Sequence, residues 1–73
     1  MGSNNKTSYK NSFGYKMRCI RKFRHFSQKE MSDMLGISES TLARYEKNES
    51  LPHIDVVIRF VKITRISTDM LIY

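Results

Sequence analysis

The sequence lacks most of the devices that hold very small proteins together. It has one cysteine, Cys19, so no disulfide can form within the chain. A lone thiol fits a reducing, intracellular setting. No Cys/His spacing resembles a zinc site, and no metal or cofactor is expected. No uncharged apolar run is long enough to span a membrane. The opening stretch, MGSNNKTSYKNS, has no apolar core and so is not a signal peptide. Gly2 follows Met1, but Lys6 stands where the myristoylation pattern wants Ser or Thr. With 73 residues, the chain is one small domain that buries only about 60% of its unfolded surface. Compact helix packing, with or without a second subunit, has to supply the stability. The expectation is a soluble cytoplasmic protein.

Acidic residues are also missing from one region. None occurs before Glu30, whereas Lys6, Lys10, Lys16, Arg18, Arg21, Lys22 and Arg24 all lie there. From Ser27 onward, six bases meet all seven acids, so the net charge of +6 is concentrated near the N-terminus. A positive region on an otherwise balanced chain suggests a polyanion partner. The bland alternative is a solvated basic face that serves solubility.

What the chain does contain centres on Phe26–Asn48, FSQKEMSDMLGISESTLARYEKN. Ser27 can cap a helix, and Glu30 completes a Ser-x-x-Glu capping box. Phe26 and Met31 have the spacing of a hydrophobic staple. Ile37, Ser38 and Leu42 repeat the device. Gly36 lies between, where the first helix must end and a left-handed residue is needed. The spacing predicts helices over about 28–35 and 39–47, joined by Gly36-Ile37-Ser38 as a helix-turn-helix. At about 100° per residue, Leu42, Tyr45 and Glu46 share one side of the second helix, and Ser40, Thr41, Arg44 and Lys47 share the other.

Around this motif, residues 1–12 read as a flexible polar arm, with Met1-Gly2-Ser3 in the form of an expression scar. A helix over about 13–25 puts Phe13, Met17 and Ile20 on a core stripe, with Phe23 at its edge. Arg21 falls on the shoulder of that stripe, and Glu46 on the buried face of its own helix. A buried charge is costly unless paired, so the two are expected to form an ion pair. The alternative is that both reach solvent. Ser32 is small and lets neighbouring helices approach. Pro52 closes a loop and precedes a helix over about 53–64. There Asp55, Arg59 and Lys62 form a polar stripe, with Asp55 and Arg59 spaced as a helical pair. Ile54, Val57, Ile58, Phe60 and Val61 are expected in the core, and Val56 and Ile63 on the flank. Thr64 can bond its hydroxyl to the Phe60 carbonyl. Ile66, Ser67 and Leu71 open a fifth short helix to about Ile72. Met17, Met31, Met34 and Met70 read as core filling. His25 and His53 read as ordinary surface or edge residues, and no nucleophile or metal-ligand context points to an enzyme.

These pieces resemble the lambda-repressor/Cro family of helix-turn-helix domains, often called XRE-like. The resemblance rests on Arg21, on Ser27-Gln28 with Met31, on Leu35-Gly36-Ile37-Ser38 and on Thr41-Leu42 with Arg44-Tyr45-Glu46. Pro52, Ile54, Ser67 and Leu71 match the later part. It covers about Phe13 to Leu71. Asn48 stands for a common glycine and Ser32 for a frequent alanine. His53 replaces a better cap, and Thr64-Arg65 a usual Leu-Gly pair. The implied fold is all-α, a compact bundle of about five short helices over residues 13–73.

The resemblance implies a sequence-specific transcriptional regulator, a repressor more often than an activator, that places its third helix in the major groove of double-stranded DNA. Its origin would be bacterial, phage or plasmid. Glu39, Ser40, Thr41 and Arg44 are the base-reading candidates. Arg44 leads, because a guanidinium can donate twice to guanine O6 and N7. Glu39 either accepts from a cytosine amine or excludes wrong bases and close phosphates by repulsion. Gln28, Lys29, Lys47 and Asn48 are the phosphate-binding candidates. A homodimer on half-sites roughly 34 Å apart is expected, with a monomer as the alternative. Its candidate surface is Val56, Ile63, Ile72 and Tyr73. The rival class is an antitoxin or protein-interaction module of the same fold. Its apolar C-terminal region would then dock on a partner protein or a further domain. RNA is disfavoured, since no aromatic stacking platform is visible.

Overall fold

A computed structural model describes residues 12–66. Among these residues there are four helices and no strand: α1, Phe13–Phe23; α2, Gln28–Leu35; α3, Glu39–Glu46; and α4, Ile54–Thr64. The polar arm, except Ser12, and the expected fifth helix, except Ile66, lie outside the described residues.

The caps follow the sequence signals. The Ser27 hydroxyl accepts from the Glu30 N–H at 3.0 Å, and the Glu30 carboxylate accepts from the Ser27 N–H at 2.8 Å. Both halves of the capping box are therefore made. Ser38 accepts from the Thr41 N–H at 3.0 Å to open α3. Ser12 does the same for α1 through the Tyr15 N–H. The His53 side chain makes no cap hydrogen bond at α4, as its poor capping chemistry predicts.

Each helix ends on a left-handed residue: His25, Gly36, Asn48 and Arg65, with φ of 63°, 73°, 64° and 57°. At α1 the His25 N–H reaches the Lys22 carbonyl and the Phe26 N–H the Arg21 carbonyl. The same paired bonds close α2 and α3, which is the Schellman arrangement. Asn48 thus fills the role of a glycine, as the sequence implied. His25, read from sequence as an ordinary surface or edge residue, is exposed and also terminates α1.

The core gathers Met17 and Ile20 of α1, Met31 and Leu35 of α2, Leu42 and Tyr45 of α3, and Val56 and Phe60 of α4. Helix α3 packs against both α1 and α2, and α4 packs against α2. Ser32 is buried, with its hydroxyl donating to the Lys29 carbonyl. The Thr64 hydroxyl donates to the Phe60 carbonyl at 2.7 Å, as expected.

Helix α4 departs from the sequence reading. Val56, expected on an exposed flank, is buried, whereas Ile54 is 72% and Ile58 49% exposed. The core-facing line of α4 runs through Val56, Phe60 and Thr64, spaced by four. Its apolar arc is wider than the side that α2 covers, so the two isoleucines at the edge of the arc stay outside. The periodicity of the sequence alone could not say where the covering helix would sit. Arg59 turns back to donate to the Leu35 carbonyl at the end of α2, so the Asp55–Arg59 pair does not form. Met34 also faces outward, and Phe23 is exposed with Arg24 over its ring.

Candidate nucleic-acid interface

The candidate interface is built on one buried ion pair. The Arg21 Nε donates to Glu46 Oε2 at 2.7 Å, and its Nη2 to Glu46 Oε1 at 3.1 Å. Both side chains are almost wholly buried. This is the fork-on-carboxylate geometry that suits arginine. The remaining Nη1 donates to the Phe26 carbonyl at 2.7 Å. One guanidinium therefore ties α1 to α3 and to the turn entering α2. Among the described residues no buried side-chain nitrogen or oxygen lacks a partner. The pair expected from sequence is present, with an extra bond to the turn.

Glu46 carries one more partner. The Gln28 Nε2 donates to Glu46 Oε1 at 3.1 Å. This bond fixes the Gln28 amide at the first position of α2, where backbone N–H groups point outward and favour an anion. Arg18, Gln28, Ala43, Glu46 and Lys47 line a cleft of about 410 Å³ beside it. Arg18 was not among the site residues chosen from sequence. Its only signal was its place on α1, one turn before Arg21.

The outward side of α3 presents Glu39, Ser40 and Arg44, all exposed. The Arg44 side chain makes no hydrogen bond or ion pair among the described residues. Thr41 is half-buried and turned to the cap, with its hydroxyl accepting from Ser38 at 2.7 Å. Ser40 lies 3.3 Å from Ser38, completing a hydroxyl cluster at the start of the helix. Lys47 and Asn48 are exposed where α3 ends. Lys29 is exposed and pairs loosely with Asp33 at 3.9 Å.

A close approach that sequence reading missed holds α3 in place. Gly14 lies against the α3 terminus so tightly that a β-carbon there would stand 2.0 Å from the Tyr45 carbonyl oxygen. It would also stand 3.2 Å from the Asn48 nitrogen. Only glycine permits this contact. The available signal was a glycine inside the first turn of an amphipathic helix.

The Glu30 carboxyl is held below its usual value near 4.5, first by the Ser27 N–H and then by the Ser27 hydroxyl. Among the described residues no group of three or more His, Cys, Asp or Glu side chains is placed to hold a metal ion. No helix among them is long and apolar enough to cross a membrane.

A helix-turn-helix family model matches residues 20–71, which span the ion pair, the turn and both motif helices. The chain belongs to the lambda-repressor/Cro-like helix-turn-helix family. An HTH-type transcriptional regulatory protein of Pyrococcus furiosus is 40% identical over 50 residues, covering 68% of this chain. One from Pyrococcus horikoshii is 36% identical over the same share. A prophage-derived HTH-type transcriptional regulator of Bacillus subtilis is 30% identical over 60 residues, or 82% of this chain. The helix-turn-helix chain spans 16% of each archaeal relative and 56% of the Bacillus one. No solved structure matches it.

Proposed function

We propose that this helix-turn-helix chain is a double-stranded-DNA-binding transcriptional regulator, acting as a repressor, with α3 as the element that reads the major groove. The exposed Arg44 guanidinium, which bonds to none of the described residues, carries this reading. It lies on the face of α3 away from Leu42, Tyr45 and Glu46, which are buried. An arginine with no structural duty, on a helix fixed from behind, is suited to donate to guanine O6 and N7. Glu39 and Ser40 flank it as further base contacts. Arg18, Gln28 and Lys47 surround a cleft of about 410 Å³ that suits a phosphate, and Lys29 and Asn48 extend that contact line. The relatives named as transcriptional regulators support the same role.

Selection from a randomised duplex pool at about 150 mM salt tests the proposal, because non-specific phosphate binding is suppressed there. Enrichment of a defined motif supports it. No enrichment, with all binding lost as salt rises, would refute it and leave only a basic surface.

A further inference from the structure

We infer that Ser38 decides which base edges the start of α3 can read, by fixing the direction of the hydroxyl protons on Thr41 and Ser40. The inference rests on α3 being the reading helix. The Ser38 hydroxyl accepts from the Thr41 N–H at 3.0 Å and donates its own proton to the Thr41 hydroxyl at 2.7 Å. A serine hydroxyl has a single proton to give. The 3.3 Å contact between Ser38 and Ser40 therefore has Ser40 as its donor.

The two hydroxyls are left with opposite polarity. The Thr41 oxygen is engaged by Ser38, while the Thr41 proton meets no acceptor among the described residues. Other helical hydroxyls turn their protons into their own helix: Ser32 donates to the Lys29 carbonyl and Thr64 to the Phe60 carbonyl. Thr41, three residues before Arg44 and on the same side of α3, keeps its proton for a partner outside the domain. Ser40 is exposed, has given its proton to Ser38, and keeps only lone pairs to offer.

These polarities select bases. In the major groove, guanine O6 and N7, adenine N7 and thymine O4 accept, whereas cytosine N4 and adenine N6 donate. Thr41 therefore suits guanine, adenine or thymine. Cytosine, whose polar group in that groove is an amine, would set donor against donor. Ser40 suits the amine of cytosine or adenine. Ser38 acts through both as a positioning residue, beyond its part in capping the helix.

Duplex selection on the native chain and three variants tests the inference, with native helicity checked by circular dichroism. Aspartate caps a helix as well as serine does, but its carboxylate only accepts. In Ser38→Asp the Thr41 proton turns to the new carboxylate, so Thr41 becomes an acceptor while Ser40 is unchanged. The native motif should disfavour cytosine by about fivefold or more at one position. Thr41→Val, of the same shape without the hydroxyl, should level that position and so identify it. Ser38→Asp should come to prefer cytosine or adenine there and leave the Ser40 position as it was. Ser38→Thr, which keeps the proton, should match the native chain. The added charge of Ser38→Asp weakens binding to every site, so base preference and not affinity is the readout. A motif that Thr41→Val or a folded Ser38→Asp leaves unchanged overturns the inference and leaves α3 as the reading helix. The absence of any motif for the native chain overturns both. Should Ser38→Asp lose helicity, the Thr41→Val comparison decides by itself.

Discussion

Helix α3 has two faces that answer to different physics. Leu42, Tyr45 and Glu46 are buried and hold the helix to α1 and α2. Ser40 and Arg44, one residue or two away, are exposed, and Arg44 bonds to none of the described side chains. The contrast teaches that the orientation of the exposed face, proposed to read DNA, is set from behind. Under the proposed function, the exposed residues should contribute little to stability, and the buried ones should touch no DNA. Substitutions should therefore sort by face, and each prediction below can break that division.

Loss of Glu46 should have the largest effect. Glu46→Ala leaves Arg21 buried and uncompensated and takes the acceptor from Gln28. Removing one partner of a buried pair costs about 3–5 kcal/mol. In a domain of this size that approaches the whole stability, so denaturant titration should show a largely unfolded chain. A loss below about 1 kcal/mol would show that the ion pair is not what holds α3.

Gly14→Ala comes next. The added methyl must displace the backbone of α3, because its nearest neighbour is the Tyr45 carbonyl rather than a movable side chain. Overpacking of this kind costs about 1–3 kcal/mol, outweighing the better helix propensity of alanine. Thermal melts followed by circular dichroism should show the loss. A stabilised variant would mean that α1 and α3 can separate freely.

The opposite sign is expected at the end of α1. His25 is held at φ 63°, where a β-carbon costs about 1–2 kcal/mol. His25→Gly should relieve part of this, raising stability by roughly 0.5–1 kcal/mol without touching either face of α3. Unchanged or lower stability by denaturant titration would show that the His25 side chain contributes something the backbone geometry does not reveal.

The smallest effect is a pH dependence. Folding depresses the Glu30 pKa, so the unfolded chain takes up that proton more readily. The stability from the capping box is complete above the ordinary carboxylate range near 4.5. It is lost as pH falls through the lower folded value. Glu30→Gln should flatten that part of the stability curve between about pH 5 and 3 and leave the rest unchanged. A curve identical to that of the native chain would remove Glu30 from the account.

The region from Ser27 to Asn48 was legible in the sequence because its signals are local. The capping box, the left-handed positions at Gly36 and Asn48, and the split of α3 into two faces depend on neighbours within a few residues. The Arg21–Glu46 pair was also legible, although its residues are 25 apart, because a charge on an apolar stripe needs a partner. Helix α4 was less legible. Its apolar arc is broad, and only the position of α2 decides that Val56 is covered while Ile54 and Ile58 are not. Gly14 and His25 escaped for a related reason. A close approach and a helix end depend on where another backbone lies, and neither side chain advertises it. Arg18, half-buried in the structure, escaped because nothing local in the sequence separates it from the other bases on α1.

The most direct test measures folding stability and DNA site preference on the same Arg44→Ala protein. The account predicts stability within about 0.5 kcal/mol of the native chain, as for a surface residue without partners. It also predicts binding to the selected site weaker by about 1–3 kcal/mol, with relaxed discrimination at one base pair. An unchanged sequence preference would contradict the assignment of α3 as the reading helix. A large loss of stability would contradict the division of that helix into a face that holds and a face that reads.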